Sequence, residues 1–409
     1  MDPGDRTNLT YRCERWRAVT SGILETGGTT FLLLIAVKWF QAGATAKALV
    51  ASGGSLGLLL TPLVVSFVQN TNWRTARAAA HFAAAGAACF LLMAMVPVVP
   101  VFVAGSVLAL AASASAIPLL THMYQENYPE AKRGQYFSRT VMIRIGVAAL
   151  FSEFAGQALS GHLEHYRWLL VVFAGAFAGS SYALSRCPSR ALAAPAGGHP
   201  FRTLRFARDD RVFRRTLICW MLMGFANLMM LPMRVEYLAN PKYGLALTVG
   251  EIAFLTGVAP NAVRLLMSPL WGWLFDRTNF FVLRVILNLG FALGILAFFT
   301  SDNVSGLIVG AIIYGVSNAG GDVAWSLWVT KLAPPERVAD YMSAHTFFTG
   351  VRGVLAPMVA FHVVNVLTVG TLGWISGGLI LLASLLLLPE IKHGRGRRPA
   401  SALVEEVSE

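Results

Sequence analysis

Twelve apolar stretches of about 20 residues, separated by short clusters of charge, leave this chain few ways to fold. That length matches a roughly 30 Å hydrocarbon core at about 1.5 Å of rise per helical residue. In hydrocarbon every backbone N–H and C=O must be satisfied internally, which admits only helices or closed barrels. Barrel strands would be half as long and strictly alternating, and these stretches are neither. Composition agrees. Only 13% of the 409 residues are charged, against about 25% in soluble domains, too few to cover a water-facing surface. The expected fold is an all-α polytopic membrane protein.

The spans are read at roughly 17–40, 46–68, 78–98, 100–122, 140–161, 168–186, 215–238, 249–275, 281–300, 305–331, 341–366 and 370–389. With the N-terminus inside, 25 of the 33 Lys and Arg fall in inside segments and five outside, leaving Arg144, Arg264 and Arg352 within spans. Basic residues favour the cytoplasmic side, so both termini are expected there, in a multi-pass cell membrane protein of a bacterial inner membrane. The polar N-terminus lacks the short apolar core of a removable signal peptide, and the first span serves as the insertion signal.

The net charge of +12 is dispersed over many loops, which excludes a nucleic-acid partner. Cys13, Cys89, Cys187 and Cys219 lie far apart without CxxC spacing, implying no metal and no disulfide. Neither paired metal ligands on a helix, a nucleophile elbow nor a phosphate loop is present, so no enzyme and no cofactor are expected.

The longest loop, 187–214, divides the chain into a half at 1–186 and a half at 215–389, with a tail at 390–409. From Phe201 to Arg215 it interleaves Arg202, Arg205, Arg208, Arg211 and Arg214 with Phe201, Leu204 and Phe213. Such a segment is either a helix lying on the anionic inner leaflet or a charged linker that sets topology. The halves also repeat. Pro62, Leu63, Thr71, Asn72 and Arg77 recur as Pro269, Leu270, Thr278, Asn279 and Arg284 at a constant offset of 207. Tyr128-Pro-Glu to Tyr136 is echoed more weakly by Pro334-Pro-Glu to Tyr341.

Gly272-Trp-Leu-Phe-Asp276-Arg277-Thr-Asn279 resembles the loop signature G-x-x-x-D-[RK]-x-G of the major facilitator superfamily, with Asn in place of the second Gly. The first half carries a worn copy, with Val65, Gln69 and Asn70 where Gly, Asp and Arg would stand. The resemblance implies two pseudo-symmetric six-helix bundles working by alternating access around a central site. It also implies that Asp276 and Arg277 help to hold the cytoplasmic side closed; the plainer reading is a turn whose Asp caps a helix. The family's antiporter run in span five is not matched, although Gly146, Gly156 and Gly161 occur there.

Ionisable groups in spans are costly and usually face a cavity or a partner. Helical rise places Arg264 about 18 Å, Asp322 about 13 Å and Arg352 about 16 Å from the inner ends of their spans, near one level. Helical phase joins Asn318 and Trp325 to Asp322, His345 and Thr349 to Arg352, and Asn261 to Arg264. These residues are expected to form a substrate or coupling site, or else an ion-pair network tying three helices. Glu25, beside Gly22, Gly27 and Gly28, is the expected proton carrier. Glu153 is expected to meet Glu25 or cavity water, whereas Arg144, nearer the inner end, is read as snorkelling to the interface. Trp220, Trp325 and Trp328 offer surface for an amphipathic solute.

The expected function is a monomeric secondary active transporter for a small organic solute, anionic or amphipathic, coupled to H+. The rival is a transporter-like accessory or sensor that binds a ligand without moving it.

Overall fold

The computed structural model describes residues 2–192, 201–245, 247–301, 303–333 and 337–395. Among these are twelve helices long and apolar enough to cross a membrane. They are α1 (Gly4–Lys38), α2 (Ala44–Asn70), α3 (Thr75–Met95), α4 (Val99–Asn127), α5 (Lys132–Leu159), α6 (Leu163–Ser185), α7 (Arg211–Ala239), α8 (Val249–Phe275), α9 (Phe280–Phe299), α10 (Val304–Trp325), α11 (Tyr341–Val363) and α12 (Val369–Ile391). Twelve crossings bring the first and last helix ends to one face, called here the terminal end; the other is the far end.

Side chains close the helix starts. Asp210 accepts from the Phe213 amide at 2.9 Å, Asn303 from Gly306 at 2.9 Å, and Thr248 and Glu251 form a reciprocal box at the start of α8. Most span ends agree with the sequence reading within a few residues. The exceptions are α5, which begins eight residues earlier than 140, and α1, which begins thirteen residues earlier than 17. Its polar first turns are tied to α4, where Arg17 bridges Glu14 (2.7 Å) and the Tyr124 hydroxyl (2.7 Å), and Thr7 donates to the Asn127 carbonyl at 2.8 Å. Those partners let the helix continue where hydropathy stops.

Within the first six helices α3 packs on α6, α2 on α4, and α1 on α5 and α6; within the last six α8 and α9 pack on α10, and α12 on α7 and α9. The two groups meet along α2 with α11 and α5 with α8, with α1 touching α7. Small residues permit the approach. A Cβ on Gly350 would stand 2.5 Å from the Leu59 backbone nitrogen, and one on Gly156 would stand 2.5 Å from the Ala253 Cβ. Each group's centre is filled with apolar side chains such as Phe90, Phe173 and Phe177 in one and Phe281, Phe298 and Phe361 in the other.

Two helices are interrupted. One π-turn in α1 (Gly27–Phe31) and one in α8 (Phe254–Val258) face each other, joined by a 3.0 Å bond between the Thr30 and Thr256 hydroxyls. Such bulges frequently accompany functional sites because they re-aim the residues beside them.

The first part of the basic segment, Arg202–Arg205 and Phe206–Asp209, is helical. Phe206 stacks on Tyr341 at 5.0 Å, Phe213 meets Tyr341 at 4.6 Å, and Phe201 meets Phe347 at 5.6 Å. Its aromatics face α11, so its apolar side packs on the protein, while Arg205, Arg208, Arg211 and Arg214 stay exposed. The Pro334-Pro-Glu echo lies outside the described residues, as does most of the 390–409 tail.

Candidate functional site: a shared arginine between the two helix groups

Gly22 begins the site. A Cβ there would stand 2.5 Å from the Arg144 carbonyl oxygen, so α1 and α5 touch nearly backbone to backbone. That contact sets the Arg144 guanidinium beside Glu25, with Nε 3.1 Å from Oε2, close enough for an ion pair but not aligned as a hydrogen bond. Across the group boundary, Arg264 of α8 donates from Nη1 to Glu25 Oε1 at 2.6 Å and to Asn261 Oδ1 at 3.2 Å. Its Nε donates to Asp322 Oδ2 on α10 at 2.5 Å. The Ser268 hydroxyl donates to the Arg264 carbonyl at 2.6 Å.

One guanidinium therefore grips a carboxylate from each group, using the forked donor set that only Arg presents. Nothing among the described residues accepts from its Nη2. The side chain of Arg264 is 7% exposed while those of Asp322 and Arg144 are 39% and 37% exposed. The network is thus dry at its centre and wet at its edge. Formally it holds two positive and two negative charges, which is why such a cluster is tolerated at this depth. The two π-turns lie just to its far side, five residues after Glu25 in α1 at Thr30 and eight residues before Arg264 in α8 at Thr256.

Hydrogen bonds and ion pairs that join described residues of the two groups occur at this level and beyond it toward the far end. Lys47 Nζ meets Glu236 Oε1 at 2.8 Å with both side chains buried, and Asn240 supports the same oxygen at 2.8 Å. Lys38 donates to the Leu247 carbonyl at 2.5 Å, Thr45 and His362 pair at 3.3 Å, and the Ser160 hydroxyl accepts from the Gly250 amide at 3.4 Å.

The structure regroups several residues read from the sequence. Glu25, Asn261, Arg264 and Asp322 come together, with Asn318 one helical turn from Asp322 and half-buried. Arg352 does not join them: its Nη1 donates to the Trp220 carbonyl, inside the last six helices. His345 goes with it, ringed by Trp220, Trp325 and Trp328 at 5.1–5.6 Å between ring centres. Trp220 and Trp328 stack on each other at 5.6 Å, and both are buried, so neither is free to stack on a solute. Glu153 stays apart from Glu25 and accepts from Gln157 at 3.2 Å, in a crevice with Glu251, Leu247 and Ile308 toward the far end. Arg144 does not snorkel; it pairs with Glu25.

At the loop after α8, Arg277 is exposed and lies over the Trp273 ring at 4.7 Å, and a Cβ on Gly272 would meet open space. The Asp276 side chain lies outside the described residues, so the expected latch is neither formed nor broken by anything described.

Three buried cations were read from the sequence as loop residues. Lys47, Arg234 and Arg284 fall within a turn or so of a span end, where position alone assigns them to water. Arg234 instead lies over the Tyr314 ring at 4.0 Å and Arg284 over the Trp220 ring at 3.7 Å. The available signal was their helical phase, which turns each inward. His162, Glu164 and His165 bring ligand atoms within 4.8 Å of one another, but on a fully exposed turn.

Two interlocked six-helix groups with a charged network where they meet define the fold of a secondary transporter. Among solved structures, the nucleoside transporter NupG superimposes with a TM-score of 0.73 at 15% identity, over 94% of this chain and 99% of that one. The D-xylose-proton symporter gives 0.68 at 17% identity over 94% and 95%, and the human organic anion transporter MFSD10 (TETRAN) gives 0.66 at 14% over 95% and 100%. A search of curated proteins finds none whose sequence matches. The profile of the Major Facilitator Superfamily matches residues 19–357 and 240–406, and the chain belongs to that family.

Proposed function

We propose that this protein is a proton-coupled secondary active transporter of a small organic solute, working as a monomer in a bacterial inner membrane with both termini in the cytoplasm. The observation that carries the reading is Arg264, held by Glu25 across the group boundary at 2.6 Å and by Asp322 within its own group at 2.5 Å.

With the far end sealed and the Asp322 edge of the network exposed, access to the network is from the terminal end, an inward-facing state. Protonating Glu25 removes its charge from both Arg264 and Arg144. That weakens the mid-depth tie between the groups and leaves Arg264 with donors to spare. A solute bearing a carboxylate, phosphate or paired hydroxyls supplies the acceptors those donors then need. Proton and solute thus compete for, or share, one guanidinium, which is the linkage a coupled carrier requires. The wet edge at Asp322 gives protons from that side a route in.

The test works before the solute is identified. Single cysteines at Thr45 (far end) and Leu63 (terminal end), in a protein without its four native cysteines, would be labelled with an impermeant maleimide across pH 5–8. Acidification and Glu25→Gln should shift labelling in the same direction at both positions. A Glu25→Gln protein that still responds to pH as the parent does would remove Glu25 as the proton site. Proteoliposomes screened with solute classes under an imposed pH gradient would then name the cargo.

A further inference from the structure

Inside the last six helices, away from the Arg264 network, two guanidiniums converge on one tryptophan, one over its ring and one at its backbone carbonyl. Arg284 lies 3.7 Å above the Trp220 ring, and Arg352 donates to the Trp220 carbonyl. Arg284 is 1% exposed, Arg352 8%, and His345 beside them 0%. No carboxylate among the described residues lies within ion-pair distance of either arginine. The acidic side chains nearest in the fold are already engaged, Asp322 by Arg264 and Glu390 by Arg215 at 2.7 Å.

What is unpartnered here is nearly all of one kind. Arg284 Nη1 and Nη2, Arg352 Nε, and the indole Nε1 of Trp220 and Trp328 are buried donors without an acceptor, and none of these atoms can accept. The His345 ring can add one more donor from its own two unpartnered nitrogens, and the Thr349 hydroxyl another. An excess of buried positive charge and donors is the complement of an anion, since an unpaired buried charge costs several kcal/mol in either medium around it. Space fixes the size. A Cβ on Gly224 would overlap the Arg352 guanidinium, so α7 presses directly against it, which favours a small anion over an organic acid.

We propose that Arg284, Arg352 and His345, backed by Trp220 and Trp328, form a buried site for a monatomic anion of the halide class. The anion neutralises the interior of the second helix group and is separate from the cargo at Arg264. It acts as a structural ion, fixing α7, α9 and α11 to one another.

Purified protein would be melted in sodium chloride, sodium bromide and sodium gluconate at equal pH and ionic strength. The halides should raise the melting temperature by about 3–6 °C over gluconate, saturating with concentration as single-site binding does. Bromide-grown crystals should show one anomalous peak between Arg284 and Arg352. Arg352→Gln and Arg284→Gln should each abolish the halide-dependent rise. Equal melting in halide and gluconate would overturn the proposal, as would a halide effect that persists unchanged in both variants. If a variant does not fold, the position of the bromide decides: a peak elsewhere, or none, rejects the site.

Discussion

Arg264 has two carboxylate partners on different helices, so removing it and removing either partner are unequal changes. Arg264→Gln strands Asp322 and leaves Glu25 with Arg144 as its one remaining cation, and a broken buried pair costs about 3–5 kcal/mol. Asp322→Asn leaves Arg264 still paired with Glu25 and acts at the wet edge, so its cost should be about 1 kcal/mol. The measurable ordering is a melting temperature that falls far more for Arg264→Gln, with partial recovery in the Arg264→Gln/Asp322→Asn double variant. Arg352→Gln should recover nothing in the Asp322→Asn background, because the two residues belong to different clusters. A full rescue by Arg352→Gln would place them in contact. The sequence made Arg264, Asp322 and Arg352 one unit because helical rise put them at one depth. Rise fixes a level but not a side, and Arg352 points into its own helix group. Glu25 lay on the other group, and nothing in one dimension says that α1 and α8 meet.

At the scale of helices, pattern was legible where physics is one-dimensional and illegible where it is pairwise. Span number followed from length and hydropathy, and the repeat at offset 207 followed from register. The π-turns did not, since Gly27–Phe31 and Phe254–Val258 read as ordinary helix until their partner is known. The early start of α1 was hidden for the same reason: its polar turns are satisfied by α4. The α2–α11 seam offers a direct test at this scale. Gly350→Val places a side chain against the Leu59 backbone, where no flexible group can move aside. It should part the seam at mid-depth, raising labelling of a cysteine at Thr45 several-fold with little change in melting temperature. Unaltered labelling would mean that the seam closes elsewhere.

For the molecule as a whole, twelve crossings among the described residues put the two ends on one face, and from the distribution of Lys and Arg we propose that this face is the cytoplasmic one. Tags at either terminus or within 190–200 should be reached only from the cytoplasm, and tags near Lys242 or Asp302 only from outside. A mixed pattern would break the twelve-span order.

The small-residue seam has a kinetic consequence. Where Ser52, Ser55 and Gly353 meet, the side chains are small and a single 3.4 Å bond from the Ser52 hydroxyl to the Val354 carbonyl crosses the seam, so little is lost there on parting. The two ion pairs across the boundary, Lys47–Glu236 at the far end and Glu25–Arg264 at mid-depth, add resistance to opening beyond the single bonds at Thr30, Lys38, Thr45 and Ser160. In the proposed proton-coupled cycle the slow step is the release of these carboxylates, and its rate should follow their protonation far more steeply than it follows bilayer thickness.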